Sequence, residues 1–188
     1  MTNDPAPTRP QALDRPLRIA GWSLAAALMA APLIAMQFTR EVAWTPSDFV
    51  FAGVMLGGVG LLFELTFRLT GDWFYRGGVA AALAGAFFTV WATGAVGIIG
   101  DEGDPANLLF FWVLAIGLLG AMIARFRARG MACAMGAAAA AQTTVAAIVV
   151  ALRLGDLGPT LFFTLFWVAA GVLFWKAAQR RAQAGGAS

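Results

Sequence analysis

FVFAGVMLGGVGLLFELTF, residues 49–67, carries a single charged side chain in its whole length. A helix rises ~1.5 Å per residue, so about 20 such residues reach across the ~30 Å hydrocarbon core of a bilayer. Working outward from this stretch, five more apolar segments of similar length occupy most of the chain. The six spans are expected at 18–38, 47–69, 77–99, 106–124, 131–152 and 159–175. Of the 188 residues, 60% are hydrophobic and 12% charged, where soluble domains average about 25% charged. The fold class expected is therefore all-α: an integral membrane six-helix bundle. Connections between spans are too short to hold a separate catalytic or sensor domain.

Charge sorts by side. With the N-terminus in the cytoplasm, Arg9, Arg15, Arg18, Arg68, Arg76, Arg125, Arg127, Arg129, Lys176, Arg180 and Arg181 fall inside, and only Arg40 and Arg153 fall outside. Basic loops resist translocation, so the expected topology is N-in/C-in. The net charge of +3 is spread over loops and tails that flank spans. It reads as a set of topology determinants and lipid-headgroup contacts rather than a phosphate groove, so no nucleic acid is expected as a partner. Residues 1–17, with Pro5, Pro7, Pro10 and Pro16, bury too little to offset ordering entropy and are expected to be a disordered cytoplasmic tail. The transmembrane domain is expected over 18–178, with 179–188 a second cytoplasmic tail. The first apolar run exceeds the h-region of a secretory signal and is expected to stay as the first helix.

The spans suggest three two-helix hairpins. Odd helices are rich in small residues (AAALMAAPLIA, 25–35; GGVAAALAGA, 77–86; ACAMGAAAAAQ, 132–142) and even ones are bulkier. Each even helix follows an acidic and proline-containing start: TPSD at 45–48, DEGDP at 101–105 and DLGP at 156–159. Capping explains the recurrence locally, because an acid accepts the free N–H groups of the first turn while proline needs no donor there. Gly53 and Gly57, Gly117 and Ala121, and Gly136 and Ala140 stand four apart and are expected at close helix contacts, since lipid gives helices no hydrophobic reason to associate.

Glu64 is the one acid well inside a span, and a carboxylate there is costly enough to be a functional candidate for proton or cation coupling. The competing reading is a structural ion pair with Arg68, four residues on, or with Arg125 at the end of the fourth span. In GDEGDPAN (100–107), Asp101, Glu102, Asp104 and Asn107 bring hard oxygen donors together on the outer face, a candidate cation site that lacks the full pattern of a calcium loop. Gln142, Thr143 and Thr144 sit in the middle of the fifth span. With Thr89, Thr93 and Thr164 they either line a solute path or glue helices together.

Several chemistries are excluded by composition. The chain has no histidine, which removes histidine zinc sites, bis-His haem and Ser-His-Asp catalysis. No lysine lies inside a span, and neither a Walker A loop nor a dinucleotide fingerprint occurs. No cofactor or resident metal is expected, and the chain is not expected to be an enzyme. Cys133 is the sole cysteine, so no intramolecular disulfide can form.

WTPSDFVFAGVML (44–56), AVGIIGDEGDPANLLFFWVLAIGLLGAMIARF (95–126) and RGMACAMGAAAAAQ (129–142) resemble a group of small multi-pass bacterial proteins described only as uncharacterised membrane proteins. GIIGDEGDPAN (97–107) is the most distinctive part. The resemblance implies a bacterial inner membrane and carries no catalytic residue with it. Two functions stay open: a non-enzymatic accessory or scaffold protein with a membrane-protein partner or a homo-oligomeric state, and a small-solute permease or channel with Glu64 as coupling carboxylate.

Overall fold

The computed structural model describes residues 9–95, 97–100, 103–155 and 157–185, with the side chains of 9–13, 157 and 159 left aside. Its helices are α1 (Arg9–Phe38), α2 (Pro46–Leu69), α3 (Trp73–Ala95), α4 (Leu108–Ile123), α5 (Ala128–Ala151) and α6 (Leu157–Gly185), with a 3₁₀ turn over Pro105–Asn107 before α4. All six are long and apolar enough to cross a membrane. No strand occurs among the described residues.

Both outer helices run past their expected limits. Helix α1 starts at Arg9, inside the stretch drawn as a tail, and continues through Pro16 and Pro32. Proline's fixed φ is helical and its missing N–H costs nothing in a first turn, which suits Pro10. Helix α6 continues through Arg180, Arg181, Ala182 and Gln183 to Gly185, because extending a formed helix through good helix formers is cheap. Residues 1–8 and 186–188 of the expected tails lie outside the described residues. Helix α3 sits four residues earlier than its expected span. Gly97 and Gly100, at φ 79° and 60°, turn the chain after it in a conformation that side chains with a Cβ rarely adopt.

The chain divides into two compact units, residues 1–71 and 72–188. The first is the α1/α2 hairpin. Thr45 caps α2: its N–H and hydroxyl both donate to Asp48 Oδ2, at 2.7 and 2.8 Å. The helices meet where Met29 Cε comes within 3.8 Å of the place a Cβ would take on Gly53, and where the Trp22 ring lies 3.0 Å from that of Gly60. Gly57 and Gly58 have nothing within 4 Å of theirs.

The second unit is a four-helix bundle whose centre is the α5/α6 pair. Met131, Met135, Ala138, Gln142, Val145 and Val149 are buried on α5, and Thr160, Phe163, Trp167, Ala170, Phe174 and Ala177 on α6. Both rows step by alternating threes and fours, the spacing of a left-handed coiled-coil seam. Helix α4 also packs on α5, where a Cβ on Gly120 would stand 2.8 Å from Ala134 Cβ and one on Gly117 3.6 Å from Ala138 Cβ. Helix α3 packs on α6: a Cβ on Gly78 would touch the Phe174 ring at 3.0 Å, and one on Gly85 would stand 2.7 Å from Phe166 Cβ. A repeat of three hairpins would pair α3 with α4. Instead the main neighbour of α3 is α6 and that of α4 is α5, because the glycine face of α3 and the aromatic seam of α6 are shape-matched. Ala140, expected at a contact, is exposed; Gly136 is exposed as well, but its backbone N lies 3.9 Å from where a Cβ on Gly171 of α6 would stand.

The α4/α5 connection is a sharp left-handed turn. Arg125 and Phe126 take φ of 48° and 57°, and Phe126 N–H closes on Ala121 O at 3.1 Å. This six-residue closure satisfies carbonyls that the end of α4 would leave bare. Tyr75 donates its hydroxyl to Phe126 O at 2.7 Å, tying the start of α3 to that turn.

Candidate functional site

Within the first unit, Glu64 is gripped from two sides. Arg18 of α1 engages it in a fork, Nε to Oε2 and Nη2 to Oε1, and Arg68 Nε donates to Oε1 at 3.0 Å. The carboxylate is mostly shielded, its side chain 13% exposed. Two planar cations on one acid, one of them in a bidentate fork, give a charge-assisted arrangement that fixes α1 against α2. Arg68 was visible as a partner by its helical spacing. Arg18 was missed, although the start of the first span and the end of the second must lie at one membrane face. Arg125 belongs to the second unit, in the left-handed turn after α4.

The outer-loop residues separate into different roles. Asp101 and Glu102 lie outside the described residues. Asp104 Oδ1 accepts from Ala106 N–H at 2.8 Å, capping the 3₁₀ turn. Asn107 is buried and clamps the loop before it: Oδ1 accepts from both Ile98 and Ile99 N–H, and Nδ2 donates to Ile99 O, each at 2.9 Å. An amide whose oxygen already takes two N–H groups serves the backbone turn. Gly100 is needed there, since a Cβ would meet Asp104 Oδ2 at 2.8 Å. Among the described residues no three His, Cys, Asp or Glu side chains gather closely enough to hold a metal ion.

The polar residues expected along an interior path do not converge as one set. Thr143 and Thr144 are exposed and bond back to Ala139 O and Ala140 O, at 2.8 and 3.0 Å. Thr89 bonds back to Gly85 O at 2.7 Å in the α3/α6 contact. Gln142 is fully buried in the α5 seam and donates through Nε2 to Thr160 O at 3.2 Å. Thr164 Oγ1 reaches the same carbonyl at 3.4 Å.

A layer then emerges that sequence reading only half found. Gly78 and Gly85 on α3 face Phe174 and Phe166 on α6, so the helices run antiparallel with roughly equal steps. Thr93 stands eight residues further along α3, at the register of the first turn of α6, which carries Thr160. Thr93 Oγ1, Gln142 Oε1 and Thr160 Oγ1 are buried without a protein hydrogen-bond partner, as is Trp167 Nε1 two turns along α6. The first three are one amide acceptor and two hydroxyls on three helices, neutral groups able to exchange hydrogen bonds. Thr160 was missed because it stands at the predicted edge of its span. Comparison with known proteins finds no matching family model, curated protein or solved structure.

Proposed function

We propose that this chain is a non-enzymatic accessory or scaffold protein of a bacterial inner membrane, with both termini cytoplasmic. The observation that carries this reading is the α1/α2 hairpin. Its one intramembrane carboxylate is committed to two arginines of its own unit, and the Gly57–Gly58 surface of α2 is open. A small-residue surface on a charge-locked hairpin suits close approach by another membrane helix, from a second protein or a second copy. An acid so neutralised is a poor carrier of protons or cations, which would need it to change partners during each cycle.

A second reading rests on a different observation. The unpartnered hydroxyls and amide oxygen of Thr93, Gln142 and Thr160 favour passage or binding of a small neutral solute through the four-helix unit. In that case Gln142, rather than Glu64, is the residue to change.

Native mass spectrometry on protein gently extracted from its own membrane tests both. The accessory reading expects a stoichiometric companion, or a second copy, that is lost in Gly57→Leu/Gly58→Leu. A monomer without companions overturns it. A bound small molecule lost in Gln142→Leu selects the second reading.

A further inference from the structure

The start of α3 and the end of α6 hold more cation than the neighbouring acid can balance. Lys176 Nζ lies 5.7 Å and Arg180 Cζ 4.3 Å from the centroid of one ring, that of Phe74. Arg181 lies over Tyr75 at 5.2 Å. The acid nearby, Asp72, is largely spent: Oδ1 accepts from Phe74 and Tyr75 N–H at 2.9 and 3.2 Å, and Oδ2 lies 4.0 Å from Arg181 Nε. Lys176 and Arg180 are four residues apart on one helix face, where like charges repel. A ring quadrupole offsets part of that repulsion. An anion set between the two would offset the rest.

The shape below the pair says which anion. Leu161, Leu165, Val168 and Val172 are exposed on α6 and step by four, three and four toward Lys176, so they form one stripe on the face that ends at the cations. At ~1.5 Å per residue the lane from Leu161 to Lys176 is roughly 22 Å long, close to the depth of one leaflet plus its headgroup. Trp73 and Trp175, both exposed, flank the cationic end as interfacial aromatics do. A soluble phosphate would use the cations and leave the lane unexplained.

We propose that Phe74, Lys176 and Arg180 form a binding site for the phosphate headgroup of an anionic phospholipid whose acyl chain lies along the Leu161–Val172 stripe. The site is independent of the accessory reading, which rests on the first unit. The test is native mass spectrometry of the full-length chain in detergent, titrated with phosphatidylglycerol and, separately, with phosphatidylcholine. Lys176→Gln/Arg180→Gln is expected to bind the first phosphatidylglycerol roughly tenfold or more weakly, with phosphatidylcholine binding unchanged. Arg127→Gln/Arg129→Gln, which removes the same charge from the start of α5, is expected to keep it. Leu165→Ser/Val172→Ser should weaken phosphatidylglycerol binding while leaving the cations in place. Equal losses for both lipids, or equal losses in the two charge variants, overturn the proposal. Displacement of the lipid by millimolar inorganic phosphate, with no effect of the serine variant, also overturns it and makes the pair a free-anion site.

Discussion

The two units solve the same problem, holding apolar helices together where lipid is as good a partner as protein, by different means. In the α1/α2 hairpin, contact is sparse and a single carboxylate between Arg18 and Arg68 joins the helices. In the α3–α6 bundle, the buried rows of α5 and α6 carry no charged residue, although Arg76 of α3 is buried; backbone approach at Gly78, Gly85 and Gly120 lets dispersion forces accumulate. The first device is strong only while both charges are present. The second is distributed over many contacts, and it fails when any one of the closest is overfilled.

That contrast breaks or sharpens under substitution, the largest effect coming from the bundle. Gly120→Leu puts a side chain where Ala134 Cβ and Cα already stand within 2.8 and 3.2 Å, and should cost about 3 kcal/mol or more of bundle stability by overpacking. Thermal unfolding in micelles reads it against Gly57→Leu, which meets open space and should leave the midpoint in place; equal losses would erase the distinction between the units. Next comes Asn107→Ala, which strips three hydrogen bonds from the loop before α4. Leaving those buried backbone groups unpaired should cost roughly 2–3 kcal/mol, seen as a lower midpoint in denaturant-titrated micelles. Arg18→Ala should loosen the hairpin alone: spin labels on α1 and α2 would report a broadened distance distribution, while labels on α5 and α6 keep theirs. Arg68→Ala should do the same more weakly, because it is the more exposed partner, lies on the same helix as Glu64 and reaches only one of its oxygens. Smallest of all, Thr143→Val and Thr144→Val should change stability by less than about 0.5 kcal/mol, their hydroxyls being exposed and bonded within their own helix.

The number of helices was legible because hydropathy over about 20 residues is a coarse and robust signal. The neighbours of each helix were not. In a soluble bundle the seam of α5 would stand out against a polar face. Here Met135 in the seam and Ala140 outside it are equally apolar, since one faces protein and the other faces away from it. Composition thus suggested a hairpin repeat; α1 with α2 and α5 with α6 do pack as neighbours, while glycines on α3 meeting phenylalanines on α6 make α6 the main neighbour of α3. Glu64 was legible as an expensive residue, and one of its partners followed from helical spacing. The other lay 46 residues away, beyond any local rule. Asn107 illustrates the reverse: oxygen donors in an acidic loop invite a metal reading, while burial turns this amide toward the backbone.

The pairing of α3 with α6 also sets an order of events. Helix α3 leaves the ribosome long before residues 157–185, so its best partner does not yet exist when it enters the bilayer. During that interval the Gly78, Gly85 and Thr89 face must rest against lipid or against another protein, and the α4/α5 pair, joined by a short turn, can close first. Assembly of the bundle is then completed by α6, and a chain halted before α6 would expose the face of α3 that α6 covers.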